Sequence, residues 1–346
     1  MNTAAFIHGA RDIRLGPIAR PEGDSAKTIV DVQSVGICGS DLHYYKDGGI
    51  GSAVISDPFV PGHEFSATLQ EDIEPLGLRK GQLVAVDPAK PCYQCEWCER
   101  GHHNLCPNVV FLGAPPINGA LTNEIAVPHE SLIELPETIN RDQAAMLEPL
   151  GVCIHAIDLA RPLLLESVAV IGCGPIGLGI LQLLKLAGVG DIIAIDPQIH
   201  RVGLAKQLGA RYTGSDVSAV LDHTDGLGCH LVIEATNSPM GFADSVTAAR
   251  IGSRVVLVGI PDGDLYDGLK AAEARRRGLT VKFSRRMGNV YPRAIELVSN
   301  RKIDVDILVS HRFDLTSTAD AFAMQADQVD DLIKSIVYPD GLPANV

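Results

Sequence analysis

A formal charge of −13 on a chain of 346 residues argues against a nucleic-acid surface, since phosphates require clustered cations, and the length is expected to build two cores. With 46% apolar residues, 21% charged residues and 34 glycines in no collagen-like period, the composition excludes fibrous and disordered classes and reads as a soluble globular protein. The opening Met1-Asn2-Thr3-Ala4-Ala5-Phe6 has no charged start leading into an apolar run, so the reading expects no signal peptide and a cytoplasmic setting. The longest apolar run, Gly174 to Gly190, is interrupted by Gln182 and Lys185 and reads as an amphipathic helix rather than a membrane span.

Up to about residue 150 the chain reads as short β-segments between Gly and Pro turns. Lys27 to Val35 alternates apolar and polar residues, as a half-buried strand does, and Gly81 to Val86 is a second strand closed by Asp87-Pro88. Between them, Val35 to Tyr45 packs a thiol (Cys38), a hydroxyl (Ser40), a carboxylate (Asp41) and an imidazole (His43) into six positions, a density that packing alone does not require. The pair His63-Glu64 and, later, Glu148 add further metal-ligating side chains, though no local spacing joins them to Cys38. Cys92, Cys95 and Cys98 at two-residue gaps, followed by Cys106, supply four thiolates in one short lobe over 90–107. Four thiolates suit a closed tetrahedral zinc, which leaves no position for substrate and is therefore structural. An iron–sulfur cluster also takes four cysteines, and a zinc module for nucleic acid fits the spacing; the acidic Glu96 and Glu99 argue against the latter.

The texture changes near Glu148-Pro149. A helical stretch, Gly151 to Leu159, precedes the apolar strand Ser167 to Ile171. Strands at Ile192–Ile195, near Tyr212, and at His230–Glu234, Arg254–Val258 and Leu279–Phe283 follow, with helical patterns between them. Runs that are apolar on both faces belong to parallel strands covered by helices, so this part is expected to be a doubly wound α/β sheet. After the first of these strands comes Gly172-Cys173-Gly174-Pro175-Ile176-Gly177, then a helix pattern. The glycines Gly172, Gly174 and Gly177 permit a tight turn and close approach of a pyrophosphate, and the helix N-terminus beginning at Pro175 and Ile176 offers free N–H groups to it. Asp196, at the end of the next strand, is expected to bind the adenosine ribose and to repel a 2′-phosphate, which selects NAD over NADP. Arg201, five residues on, softens that exclusion.

Taken together these motifs resemble the medium-chain, zinc-dependent alcohol dehydrogenase superfamily, and within it the polyol branch typified by sorbitol (L-iditol) dehydrogenase. The resemblance is carried by Gly36 to Tyr44, Gly62-His63-Glu64, the Cys92/Cys95/Cys98/Cys106 lobe, Leu147-Glu148-Pro149-Leu150 and the glycine turn, in the family's order over nearly the full length. It implies a GroES-like β-barrel catalytic domain from 1–150 and 288–346, with a Rossmann NAD-binding domain over 151–287. It places Cys38, His63 and Glu64 on a catalytic zinc, with Glu148, where typical alcohol dehydrogenases carry cysteine, touching the zinc or its water. Adjacent strand residues face opposite ways, so His63 and Glu64 share a metal only if Gly62 bends the chain. Asp41 would orient the His63 ring, and Ser40 and His43 would form the proton relay. Tyr44, Phe111 and Arg286 would line the substrate pocket. The family's Phe-Arg-Tyr is replaced by Arg285-Arg286-Met287, and the lost hydroxyl argues against sorbitol itself.

The resulting expectation is a zinc- and NAD-dependent dehydrogenase of a secondary alcohol in a polyol or sugar derivative, working as a homo-oligomer, a tetramer or a dimer, without nucleic-acid or membrane partners. An aldonate (idonate-type) or threonine-type substrate is the alternative among enzymes. A structural or redox-sensing NAD-binding protein is the alternative outside them.

Overall fold

The computed structural model describes residues 2–51, 53–263, 265–329 and 331–342. The chain separates into two compact units, Met1–Glu148 together with Tyr291–Val346, and Pro149–Val290.

The first unit is organised by strand Lys27–Gly36. Along it Thr28, Val30, Val32 and Ser34 turn inward while the residues between them are only partly covered, the alternation expected of a sheet with one buried face. It pairs antiparallel with Glu64–Leu69, Glu124–Pro128 and Lys334–Tyr338. The whole seven-stranded sheet runs Leu132–Glu134, Leu83–Val86, Glu64–Leu69, Lys27–Gly36, Lys334–Tyr338, Val309–Asp314, with Glu124–Pro128 also on the central strand. Strands from the end of the chain thus complete a sheet begun at its start, and Val30, Val32, Phe65, Ala67, Val84 and Val337 fill the core beneath it. At one end of the central strand Gly36 lies opposite Glu64 on one side and Ile336 on the other. A Cβ at Gly36 would fall onto the Glu64 carboxylate and within 3.2 Å of the Lys334 side chain, so only glycine allows these three strands to bring their side chains so close.

The second unit is a six-stranded parallel sheet ordered Tyr212–Gly214, Ile192–Ile195, Val168–Ile171, Cys229–Glu234, Ala249–Leu257, Thr280–Phe283. Val168–Ile171 and Ile192–Ile195 are buried at every position, which is why they read as continuous apolar runs. Helices Pro175–Leu186, Ile199–Leu208, Ser218–Asp222, Gly241–Ala248 and Ala271–Arg277 connect the strands. The chain works outward in one direction from Val168–Ile171 and then returns to start the other half at Cys229–Glu234, so the topological switch lies between these two strands. The expected GroES-like sheet and doubly wound Rossmann sheet are both present.

Two local differences from the sequence expectation stand out. A helix, Gly39–Asp47, occupies most of the dense stretch, in a part of the chain that reads from sequence as short β-segments. The helix expected from Gly151 begins earlier and spans Leu147–Ala160, which puts Glu148 in its first turn. Among the described residues no helix is long and apolar enough to cross a membrane.

Candidate metal and cofactor sites

Three strand ends converge beside Gly36 and build the first site. Cys38 caps helix Gly39–Asp47 in extended conformation (φ −86°, ψ 158°). The side chain of Asp41, three residues on, accepts a hydrogen bond from the Cys38 N–H at 2.9 Å, the reciprocal half of a capping box. The other Asp41 oxygen accepts from the Gly62 N–H at 3.2 Å. Gly62 adopts φ +95°, a conformation L side chains rarely take, and a Cβ there would sit 2.8 Å from Val35. This is the bend on which a shared role for His63 and Glu64 depends. With it, Cys38, His63 and Glu64 present ligating atoms that all lie within 4.8 Å of one another.

The donors fit a divalent cation. Thiolate sulfur, imidazole nitrogen and carboxylate oxygen are each zinc donors, and among the described residues Nδ1 of His63, shut from solvent, has no hydrogen-bond partner. Asp41 approaches that nitrogen at 3.6 Å, an electrostatic rather than a hydrogen-bonding distance, so it holds the backbone on both sides of the site more firmly than it holds the ring. Burial alone would lower the pKa of His63, but the Asp41 and Cys38 anions outweigh it and raise it well above the ordinary imidazole value. The same anionic field would hold a metal cation. Glu148, 6% exposed, is outside the 4.8 Å group but shares its field: burial, against the pull of His63, raises its carboxyl to about 7.

Lys334 was not among the residues singled out in the sequence. It is 2% exposed, and its ammonium lies 2.5 Å from Oε2 of Glu64 and 2.9 Å from the Ile37 carbonyl, one residue before Cys38. The available signal was a lone lysine in Leu332-Ile333-Lys334-Ser335-Ile336-Val337, since lysine is almost never fully buried without a partner.

Ser40 and His43 stand on successive turns of helix Gly39–Asp47. Ser40 is partly exposed, and His43 is 7% exposed with Nδ1 3.3 Å from Asp47. Tyr44, on the same helix, is buried and meets Phe59 edge-on at 5.4 Å, a core contact. Phe111 packs its ring 5.1 Å from that of His63. Arg286 lies in the second unit, just past edge strand Thr280–Phe283, at φ +52°.

The cysteine lobe is compact. Sγ of Cys95 is 3.5 Å from that of Cys98 and 3.9 Å from that of Cys106, and no cysteine is in a disulfide. A tetrahedral zinc with bonds of about 2.3 Å spaces its sulfurs about 3.8 Å apart. These spacings therefore fit one ion, whereas an iron–sulfur cluster with several irons would spread its thiolates farther. The backbone N–H of Gln94 and neighbouring thiols draw Cys92 down to about 6, while burial pushes Cys98 up to about 12.

In the second unit Gly172, at φ +92°, and Gly177 pack so tightly that a Cβ on either would strike backbone, whereas Gly174, Pro175 and Ile176 remain partly exposed at the start of helix Pro175–Leu186. The helix N-terminus and the turn provide free N–H groups for a pyrophosphate. Asp196, 4% exposed, accepts from the Cys173 N–H at 2.8 Å and from the Gln198 N–H at 2.9 Å, so it ties the turn to the next strand while each oxygen keeps a lone pair for a ribose hydroxyl. Arg201 reaches to 3.9 Å of Asp196.

Comparison with known proteins agrees with this geometry. Residues 24–137 match the alcohol dehydrogenase GroES-like domain and residues 175–300 match the zinc-binding dehydrogenase domain. The chain is 30% identical over 344 residues to sorbitol dehydrogenase of Bacillus subtilis, covering 97% of each. L-idonate 5-dehydrogenase of Escherichia coli K-12 superposes with a TM-score of 0.88 at 26% identity, over 98% of each chain. An alcohol dehydrogenase of Escherichia coli CFT073, complexed with cofactor NADH, superposes with a TM-score of 0.85 at 27% identity, over 97% of this chain and 99% of that one.

Proposed function

The chain belongs to the medium-chain zinc-dependent alcohol dehydrogenases, in the sorbitol dehydrogenase branch, and from that premise we propose how its own residues carry out the reaction. The enzyme oxidises a secondary alcohol of a polyol or sugar derivative, transferring a hydride from the carbinol carbon to NAD and releasing the hydroxyl proton. The observation that carries the reading is the convergence of Cys38, His63 and Glu64 to within 4.8 Å beside a buried, anion-rich strand end.

Cys38, His63 and Glu64 would hold the catalytic zinc, and Cys92, Cys95, Cys98 and Cys106 the structural one. When bound, the catalytic zinc polarises the substrate hydroxyl and lowers its pKa. Ser40 takes the proton leaving that hydroxyl, and His43, held by Asp47 one turn further along the same helix face, passes it toward solvent. Glu148, buried beside the metal ligands, would touch the zinc or hold its water. Phe111 walls the site beside His63 and keeps water from its face. Tyr44 is a proposed substrate-pocket residue on the same helix as Ser40 and His43, its ring also packed edge-on against Phe59.

Gly172, Gly174, Pro175, Ile176 and Gly177 would cradle the pyrophosphate, with Asp196 on the adenosine ribose and Arg201 beside it. The carboxylate of Asp196 disfavours a 2′-phosphate, which supports NAD as the preferred cofactor. Arg286 is the proposed contact for a substrate hydroxyl or carboxylate. Its guanidinium suits the planar carboxylate of an aldonate as well as a polyol, and the structural likeness to an idonate dehydrogenase favours including that class. The protein is further proposed to work in the cytoplasm as a homodimer or homotetramer.

Initial rates of NADH formation across polyols, aldonates and threonine, each with NAD and with NADP, test the reading. A preference for NAD with a polyol or aldonate supports it, and turnover confined to primary alcohols or to threonine contradicts it.

A further inference from the structure

The turn leaving strand Cys229–Glu234 is built around a buried carboxyl with no part in the scheme above. Glu234 ends the strand at 1% exposure, opposite Ile171 on one neighbour and Leu257 on the other. Its Oε1 accepts from both the N–H and the hydroxyl of Thr236, each at 2.6 Å. Oε2 is closed to solvent and, among the described residues, has no hydrogen-bond partner. The Thr236 oxygen in turn accepts from the Ser238 N–H at 3.1 Å, so one carboxyl organises the turn from Ala235 to Ser238. Burying such a group costs free energy that an apolar residue at the same position would avoid.

Three glycines on three different segments make room for this turn. A Cβ at Gly241 would come to 2.8 Å from Glu234 Oε1, and one at Gly259 to 2.7 Å. A Cβ at Gly172 would meet the Thr236 methyl at 2.6 Å and the Ala235 carbonyl at 2.7 Å. The first glycine of the cofactor turn is therefore in contact with the turn that Glu234 holds. The two turns leave Val168–Ile171 and Cys229–Glu234, the strands that flank the topological switch, where dinucleotides cross a sheet of this kind. Asp196, the proposed contact for the adenosine ribose, lies on one side of that crossing. The turn Ala235–Ser238 lies on the other.

We infer that Glu234 is a positioning residue for the nicotinamide half of the cofactor: through Thr236 it fixes the far wall of the crevice against the glycine turn before the dinucleotide arrives. The inference rests on the NAD reading above. Burial, against the hydrogen bonds from Thr236, raises the pKa of Glu234, which makes glutamine its closest mimic.

Titrations with NADH, read by its fluorescence, and with ADP, read by calorimetry, test this on the zinc-loaded protein and on E234Q, E234A and T236V. ADP carries the adenosine half alone. In E234A and T236V the Kd for NADH is expected to rise about tenfold, the scale of one lost hydrogen bond in a buried setting, while the Kd for ADP moves less than about twofold. E234Q is expected to stay within about threefold of wild type for both ligands. T236V retains the carboxyl and the side-chain volume, so it carries the test if E234A fails to fold. Equal losses of NADH and ADP affinity, or an unchanged Kd for NADH in T236V, overturn the inference. Wild-type protein that binds neither ligand overturns the NAD reading instead.

Discussion

The ammonium of Lys334 lies 2.5 Å from the carboxylate of Glu64, with both side chains no more than 3% exposed. The same ammonium donates to the Ile37 carbonyl at 2.9 Å, so one cation ties the C-terminal strand to a proposed metal ligand and to the segment that delivers another. Burial disfavours the charge, but Glu64 and Cys38 more than offset this and raise the lysine's pKa.

Removing one partner of a buried ion pair leaves the other uncompensated and typically costs about 3–5 kcal/mol. K334M is expected to lose stability on that scale in urea denaturation, and K334M/E64Q to recover most of it. Independent, additive losses in the double variant would show that the two charges are not coupled.

The cysteine lobe gives a second expectation. C98S removes a buried sulfur from the four-cysteine group and is expected to lower the zinc content by about one equivalent. Limited proteolysis should then cut between residues 92 and 106, with the circular dichroism of the two sheets retained. Undiminished zinc content in C98S would contradict a four-thiolate site.

Much of this was legible in the sequence, and the limit has a physical form. The glycine turn, Asp196 and the cysteine lobe are each set by contacts close in sequence, so spacing alone exposed them. Cys38, His63 and Glu64 converge through a bend at Gly62 and a strand pairing at Gly36, which no local spacing encodes; only the family pattern put them together. Lys334 and Ile37 are 297 residues apart and meet because the end of the chain completes the first sheet. Helix Gly39–Asp47 escapes a reading by period because it opens with Gly and Ser and draws its start from the Asp41 capping bond rather than from apolar periodicity.

Glu234 should leave a mark on the pH dependence of stability. Its pKa is raised in the native state by burial, so the native protein favours the protonated form. The stabilising contribution is complete below the unfolded carboxyl pKa of about 4.3 and declines as pH rises from there toward the native value. Urea denaturation of wild type and E234Q at pH 5 and pH 8 should show wild type losing stability relative to E234Q at the higher pH. The loss amounts to about 1.4 kcal/mol for every tenfold by which folding weakens the acidity of this carboxyl. A difference that is constant with pH, or that grows in favour of wild type, contradicts the assignment.

NAD-linked oxidation is proposed to depend on a metal held by Cys38, His63 and Glu64. The most direct measurement is the rate of NADH formation with the best polyol or aldonate, taken with zinc content and NADH affinity, in wild type before and after chelation and in C38S. Chelated wild type and C38S are expected to lose turnover by at least about a hundredfold while still binding NADH, and added zinc should restore only the wild type. Full turnover in zinc-free wild type, or in C38S, would contradict the account.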